Sequence, residues 1–399
     1  MTPPLPLKIW GVVCEQLADE NFRKPGDPTG MLTRNPADGR RTLLALCEVS
    51  RGIAQVAQPV LFRTYDFDDG RNDGKRHLRF LRSILDNQRL ASYVQAVILA
   101  HWINEIDADE LAEVYSRIAA RLGFDTGEHG PEDGIGIPER IPAILLLLLP
   151  LLPNLKCLAV TTRHEEHALE LLGRLHQAGV IEPFASVVHL GLRHGDTEMG
   201  FDLLANSPLL ALTPNATTLR LNQCRGVSSH EGDDDDGKVA QDMLQRCMPR
   251  GIKNLDLDYC NLEHLDVKAL LACCPLLERF RYWSGGACVH EANREVRNRQ
   301  LVASLAPAKA TLRRVELDFG MSDREPDDSD DDGDDDEDED EDEEVDKDEL
   351  TQESFADFPV LERVVYEGRV IFRIQSRLGD DGDNDVGSEE DEDGDESDE

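Results

Sequence analysis

Cysteine and histidine are the side chains of this sequence best suited to metal binding or redox chemistry, and they are densest between residues 260 and 290. The set there comprises Cys260, His264, Cys273, Cys274, Cys288 and His290. A structural zinc site takes four ligands, usually from pairs separated by about two to five residues, and adjacent cysteines are poor co-ligands for one ion. No C-x-x-C pair occurs among the nine cysteines. The spacing therefore predicts no metal site but thiols that pack as small apolar groups.

Other catalytic patterns are also missing from the sequence. The segment HEEH carries two imidazoles, His164 and His167, but two ligands do not complete a zinc site, so the surface of a helix is the favoured interpretation. No G-x-G-x-x-G, Walker, G-x-S-x-G or H-E-x-x-H motif occurs. We therefore predict a chain that is not an enzyme and that needs no cofactor.

The charge of the chain is concentrated in two segments. The net charge is −39; residues 323–349 hold 21 acidic and 2 basic residues, and residues 380–399 hold 13 acidic residues and no basic one. The remaining 352 residues carry only −7, so the folded part is nearly neutral. Acidic runs bury too little apolar surface to offset their ordering entropy, so we expect both to be disordered. The overall charge opposes binding to nucleic acid.

Membrane insertion and secretion are not indicated. The apolar run Ala143–Leu149 lies between prolines and is far shorter than the roughly 20 residues of a membrane span. No secretory leader is visible in MTPPLPLKIW, and unpaired cysteines suit a reducing compartment. The expected location is cytoplasmic, nuclear or both.

Strand-like segments recur along most of the chain. They are the elements that must position the side chains of any binding surface. Four follow a proline, in PNLKCL, PNATTL, PLLERF and PVLERV, and each places an apolar residue near its centre. With four similar segments, the apolar anchors are Val97, Leu158, Leu190, Leu219, Leu255, Phe280, Val315 and Val364. Their middle spacings cluster near 30 residues, and helical patterns such as ALELLGRLHQAG and HLDVKALLACC lie between them. This alternation predicts an α/β solenoid, in which stacked repeats share one core.

The segment LDLDYCNLEHLDVKALLACCPLLERFRYW resembles irregular, cysteine-containing leucine-rich repeats. The resemblance covers roughly residues 94–372. It implies a horseshoe of short parallel strands alternating with helices.

The N-terminal segment resembles an F-box. Helical spacing of apolar residues in LPLKIWGVVCEQLA, and again in RTLLALCEVSRGIAQVAQPVLF, carries the resemblance. The family implies a Skp-type adaptor of a cullin–RING ubiquitin ligase as partner, bound by helix packing. By resemblance, the adaptor-binding residues are Leu5, Pro6, Ile9, Leu17, Leu43, Leu46 and Val49. The alternative is that these residues merely cap the solenoid, because periodicity alone does not separate the two.

Alternation along each strand predicts the residues of the open sheet face. If the anchors point into the core, residues one and three positions later point away from it. The predicted substrate-binding residues are Arg193, Arg220, Asn222, Asp258, Arg281, Trp283 and Asp318. Arg281 and Trp283 are the leading pair, since arginine and aromatic residues are enriched in binding hot spots. Trp283 could alternatively cover only the edge of a repeat.

These observations predict the following domains: 1–65, an F-box-like helical module with an insertion at 19–40; 66–93, a connecting helix; 94–372, the solenoid, interrupted by the acidic insertion 323–349; and 373–399, an acidic tail. The resemblance implies the substrate-recognition subunit of an SCF-type ubiquitin ligase that binds a protein substrate not identified by the sequence. The competing interpretation is an acidic leucine-rich-repeat nuclear protein that binds histones or other basic proteins through its acidic segments.

Overall fold

The chain begins with a three-helix module. A computed structural model describes residues 5–22, 37–66, 74–99, 108–124, 144, 146–162, 166–195, 200–226, 234–284, 296–319 and 350–373. The module consists of α1 (Leu7–Phe22), α2 (Ala37–Val49) and α3 (Arg51–Leu61). Ser50 caps α3, because its side chain accepts a hydrogen bond from the backbone N–H of Ile53 at 3.2 Å. The helices enclose a small core of their own, formed by Cys14, Ala18, Leu43, Ala57 and Val60.

Parallel strands dominate the rest of the described chain. They are β1 (Thr64–Asp66), β2 (Ala96–Leu99), β3 (Cys157–Thr162), β4 (His189–His194), β5 (Phe201–Asp202), β6 (Thr218–Asn222), β7 (Cys224–Gly226), β8 (Asn254–Asp258), β9 (Arg279–Trp283), β10 (Arg314–Asp318), β11 (Arg363–Tyr366) and β12 (Arg369–Arg373). Ten of them form one sheet in the order β1-β2-β3-β4-β6-β8-β9-β10-β11-β12. Every neighbouring pair is parallel except β11 and β12, while β5 and β7 form a separate small sheet.

The eight anchors predicted from the sequence all lie in strands of this sheet and in one register. Val97 pairs with Leu158, Leu190 with Leu219, and Phe280 with Val315, and the intervening pairs continue the same row. Each anchor is at most 1% exposed. A row of buried residues that crosses eight strands is what stacked repeats of similar length produce. The α/β solenoid is thereby confirmed in its strand order and register, the arrangement typical of leucine-rich repeats.

The recurring prolines form turns that lead into the strands. In each case, the residue two positions after the proline donates its backbone N–H to the carbonyl of the residue before the proline. The four bonds are Leu155 to Leu152 (3.3 Å), Ala216 to Thr213 (3.0 Å), Leu277 to Cys274 (3.2 Å) and Leu361 to Phe358 (3.2 Å). Proline suits the second position of such a four-residue turn because its φ is fixed near −65°. The motif therefore fixes where each strand begins.

Helices cover one face of the sheet. They are α4 (Gly74–Asp86), α5 (Gln88–Tyr93), α6 (Ala108–Leu122), α7 (Glu166–Gln177), α8 (Ser207–Leu212), α9 (Asp234–Cys247), α10 (His264–Ala272) and α11 (Asn298–Ser304). Their buried leucines, among them Leu172 and Leu270, belong to the same hydrophobic cluster as the strand anchors. Gly179, the last residue of ALELLGRLHQAG, follows α7 with φ +70°, and its backbone N–H donates to the carbonyl of His176 at 2.9 Å. On the opposite face, which we call the open face, Arg193 is exposed and Arg281 and Trp283 are half-buried, and no described helix covers them.

The sheet begins earlier than the sequence predicted. Residues 64 and 65, assigned to the helical module, and residue 66, assigned to the connecting helix, form β1, which pairs with β2 from Thr64↔Ala96 to Asp66↔Ile98. A three-residue strand is too short to show a periodicity of its own. Tyr65 extends the anchor row, and its ring stacks on Phe80 of α4 at 3.5 Å between centroids. The helical module is therefore continuous with the first strand of the solenoid.

Several predicted features lie outside the described residues: the acidic insertion 323–349, all of the predicted tail 373–399 except Arg373, and most of the insertion 19–40. His164 of the HEEH segment also lies outside them, while His167 falls at the start of α7. None of the described helices combines the length and the apolar composition that crossing a bilayer requires.

Candidate binding surfaces

The open face of the sheet carries all seven residues predicted to bind a substrate. Five occupy one row across adjacent strands, three positions after the anchors: Arg193, Asn222, Asp258, Trp283 and Asp318. Arg220 and Arg281 lie two positions earlier on β6 and β9, each paired in register with Asp256 of β8. The parallel register thus brings residues that are more than 120 positions apart in the sequence onto one surface.

A buried carboxylate organises the centre of this face. Asp258 is 1% exposed, and its Oδ2 lies 2.6 Å from both Nε and Nη2 of Arg220. Its Oδ1 lies 3.6 Å from Nη2 of Arg281. Each of the two arginine side chains is 18% exposed. Asp258 was predicted to face a partner, but its burial makes it a support that holds two arginines in place.

An aromatic platform adjoins these arginines. The guanidinium carbon of Arg281 lies 4.5 Å from the ring centroid of Trp283, within the range of a cation–π contact. Tyr259 stacks on Trp283 with ring centroids 5.8 Å apart and planes inclined by 15°. Tyr259 is 47% exposed and has φ +53°, a conformation that is unusual for a bulky residue. Its sequence position just after β8 gave no sign that it would complete the platform.

Asp256 is a second buried carboxylate on this face. It is 1% exposed, and its Oδ1 has no hydrogen-bond partner among the described residues. Burial raises the pKa of Asp256, an effect that the nearby arginines, chiefly Arg279, only partly oppose. A raised pKa means that ionisation of this group works against folding.

The substitution Asp256→Asn tests this sign. Because the folded-state pKa lies above the unfolded value, the native protein loses stability as pH rises from about 4 through the folded pKa. The asparagine variant lacks this loss, so its free energy of unfolding should increase relative to that of the native chain over the same interval. Urea unfolding at a series of pH values measures the difference. A difference that stayed constant from pH 4 to 7 would contradict the assignment.

A row of arginines on the same face was missed. Arg279, Arg314 and Arg363 are direct neighbours in register on β9, β10 and β11, one position before the anchors. Only the positions after each anchor were considered from the sequence. Alternation places residues one position before an anchor on the same face, so the pattern itself could have revealed this row.

A second candidate surface lies on the helical module. Exposed apolar side chains form a stripe along the beginning of the chain: Leu5 (56% exposed), Leu7 (47%), Ile9 (45%), Val12 (54%) and Val13 (38%). We call these five residues the α1 stripe. Leu7 also packs against α3, where its Cδ2 lies 3.4 Å from the position that a Cβ on Gly52 would occupy. Ile9, Val12 and Val13 share one side of α1, because residues three and four positions apart in a helix lie on the same face. Grouped exposed apolar side chains are typical of an interaction site.

The predicted adaptor-binding residues divide between this surface and the interior. Leu5, Pro6, Ile9 and Val49 are exposed, Leu17 and Leu46 are half-buried, and Leu43 is 3% exposed in the core of the module. Leu43 therefore stabilises the module itself. Leu7, Val12 and Val13 extend the exposed set beyond the predicted residues, because the sequence does not show which side of α1 faces α2 and α3.

The α1 helix is tied to the end of α3. Glu15 forms a bidentate ion pair with Arg63, with oxygen–nitrogen distances of 2.5 and 2.6 Å. The hydrogen bond from Arg63 lowers the pKa of Glu15. This contact orients α1 relative to β1, which begins one residue after Arg63.

Cys273 and Cys274 are packed in the interior, as the sequence predicted. Cys273 and Cys274 are buried at the end of α10, before the turn at Pro275, and burial raises the pKa of Cys273 to about 11 and that of Cys274 further. A thiol with a raised pKa is a poor nucleophile, because the thiolate is the reactive form. Within the ranges that the structure describes, no group of three or more potential ligands is placed to hold a metal ion. Cys288 and His290 lie outside those ranges.

Comparison with known proteins gives little beyond the structure. No protein-family model matches the chain, and a search of curated proteins finds no match either. Among solved structures, the leucine-rich-repeat-containing protein LegL7 from Legionella pneumophila is similar, with 14% sequence identity over 77% of this chain and 92% of that chain, and a TM-score of 0.29. Such a score describes a loose likeness, so the fold assignment rests on the strand order and register.

Proposed function

We propose that this chain is the substrate-recognition subunit of an SCF-type cullin–RING ubiquitin ligase. In this proposal, the three-helix module binds a Skp-type adaptor, and the open face of the leucine-rich-repeat solenoid binds a protein substrate. The chain itself performs no catalysis; it brings the substrate to the ligase. The exposed α1 stripe carries the proposal, because it lies on a small helical module that directly precedes a binding scaffold.

The physical support for adaptor binding is the incomplete burial of the module. The core of the module contains five buried residues, whereas the side chains of the α1 stripe are 38–56% exposed to solvent. Apolar surface gains roughly 25 cal/mol per Å² when it is removed from water. A partner that presents an apolar helical groove would therefore stabilise this surface by packing against α1.

The support for substrate binding is the composition of the sheet face. Arg281, Trp283 and Tyr259 form a contiguous platform, and these three residue types are the ones most enriched in binding hot spots. Asp258 and Arg220 hold the adjacent surface in a fixed geometry. Rigid side chains lose little entropy on binding, which favours affinity.

Direct measurement of adaptor binding tests the proposal. The purified full-length chain is titrated with a purified Skp-type adaptor, and binding is measured by interferometry and by size-exclusion chromatography. We expect a one-to-one complex with a Kd below about 1 µM. No detectable complex at concentrations far above that value would overturn the ligase assignment. In that event, salt-sensitive binding of histones that requires residues 323–349 would support the alternative of an acidic, histone-binding repeat protein.

A further inference from the structure

Two adjacent rows of charged residues differ sharply in their balance. Two positions before the anchors, Lys253, Glu278, Arg313 and Glu362 alternate in sign across β8 to β11. Lys253 pairs with Glu278 at 2.8 Å, and Arg313 pairs with Glu362 at 2.8 Å. This row is electrically neutral and internally satisfied. It shows that the chain can balance charges across these strands.

The next row is not balanced. Arg279, Arg314 and Arg363 lie side by side on β9, β10 and β11, and neighbouring strands are about 4.8 Å apart. Two acids lie near Arg279: Glu316, whose Oε2 is 3.9 Å away, and the buried Asp256, whose pKa Arg279 lowers. Within the described parts of the chain, neither Arg314 nor Arg363 forms an ion pair, and both are exposed. We call these three residues the arginine row.

Like charges at adjacent positions of a sheet repel and destabilise it. An anion bound across the arginine row would remove this repulsion. Arg373 of β12 is the register partner of Arg363, so a further basic residue follows at the next strand. The ligand that suits this face is therefore a chain with several negative charges at consecutive or nearby positions.

The chain carries such a ligand close to the row. After Phe319, at the end of β10, the sequence runs through 30 residues before it returns at Leu350, and residues 323–349 have a net charge of −19. Arg314 lies five residues before Phe319, which is roughly 16 Å along the strand. An extended chain spans about 3.3 Å per residue, so the chain that leaves Phe319 is long enough to reach Arg314 after the first few residues of the segment.

We propose that the acidic segment 323–349 docks on the arginine row of its own chain and covers that part of the open face. Tethering gives the segment an effective concentration in the millimolar range. A separate acidic protein at micromolar concentration must therefore bind about 1,000-fold more tightly to displace it. Nucleic acid faces the same competition, and it is also repelled by the net charge of −39.

The contact would regulate the proposed function without depending on it. The arginine row adjoins the platform, since Arg279 lies on the same strand as Arg281 and Trp283. A docked segment would therefore exclude a substrate from the neighbouring surface. The docking itself involves none of the residues of the α1 stripe, so adaptor binding and docking can succeed or fail separately.

Zero-length cross-linking of the full-length chain tests the docking. The double variant Arg314→Lys/Arg363→Lys preserves the charge and supplies amines that a carbodiimide can join to contacting carboxylates. Mass spectrometry should identify cross-links from positions 314 and 363 to residues 323–349 at low salt. In 1 M NaCl, where the screening length is about 3 Å, their yield should fall at least about tenfold.

The variant Arg313→Lys is the matched control. It lies one residue from Arg314 and equally close to the acidic segment in sequence, but its partner is Glu362. Its cross-links should join Glu362 rather than residues 323–349. Equal cross-linking of positions 313 and 314 to the segment would overturn the proposal, because mere proximity would then explain both.

Three further results would also overturn it. The first is the absence of cross-links from positions 314 and 363 to the segment. The second is cross-linking of these positions mainly to the tail 374–399. The third is cross-linking between chains, detected by mixing isotopically labelled and unlabelled protein. A chain that binds the adaptor but gives any of these results would retain the proposed function and lose only this contact.

Discussion

The Asp258→Ala variant is expected to lose about 3–5 kcal/mol of its free energy of unfolding, the range observed when one partner of a buried ion pair is removed. Asp258 is 1% exposed and receives two close contacts from Arg220. Its removal takes from Arg220, whose side chain is 18% exposed, the carboxylate that it contacts at 2.6 Å. Chemical denaturation, followed by circular dichroism, measures the loss.

Two controls show whether the loss of stability is specific to the buried Asp258 or follows the removal of any carboxylate from the sheet. Glu316→Ala removes an exposed carboxylate of the same face, 3.9 Å from Arg279, and should cost less than about 1 kcal/mol. The double variant Asp258→Leu/Arg220→Leu removes both charges of the 2.6 Å ion pair and should recover part of the stability, because only the longer contact of Arg281, at 3.6 Å, is then lost without its partner charge being removed. If Asp258→Ala cost no more than Glu316→Ala, Asp258 would not be the support that its geometry indicates.

The Ile9→Asp/Val12→Asp variant is expected to weaken binding to a Skp-type adaptor at least about 100-fold. Hot-spot residues each contribute roughly 2 kcal/mol or more, and a buried aspartate adds a desolvation penalty. Both positions are about half exposed in the isolated chain, so the fold of the module should be retained. Interferometry against the immobilised adaptor gives the change in Kd, and circular dichroism checks the fold.

The matched control for this variant is Leu265→Asp. Leu265 is 71% exposed on α10, so it receives the same chemical change on an exposed apolar residue of the solenoid. Its adaptor affinity should equal that of the native chain. An adaptor that bound the α1 variant and the Leu265 variant equally well would show that the α1 stripe is not the contact surface.

The repeats were predictable because every anchor has to enter the core at a similar spacing, and four of the eight anchors follow the same proline turn. In those four segments, the proline forms a turn that separates the preceding helical segment from the strand. The strand follows the turn, and its anchor is buried in the core. Cys274, Pro275 and Leu277 form one such turn, and Phe280 follows as the buried anchor. These relations are local in sequence, so they are visible without a structure.

The binding surfaces were only partly predictable. Alternation along a strand correctly placed Arg281 and Trp283 on the open face, but it does not report how deeply a side chain is buried between its neighbours. Asp258 is therefore a buried support instead of a contact residue. Leu43 is similarly enclosed by its own module, while Leu7, Val12 and Val13 are exposed beside Ile9.

The sequence by itself determined the α/β solenoid, its anchors and the packed state of Cys273 and Cys274, because periodicity and turn chemistry act between residues close in the chain. The tertiary structure alone decided which charges meet. Arg279, Arg314 and Arg363 are 35 and 49 residues apart in the sequence, yet they lie on adjacent strands. Coulomb energy depends on distance in space, and register sets that distance. The thiols thus mark the architecture of the repeats, and the register of the strands brings the arginines and aromatic rings of the sheet face together.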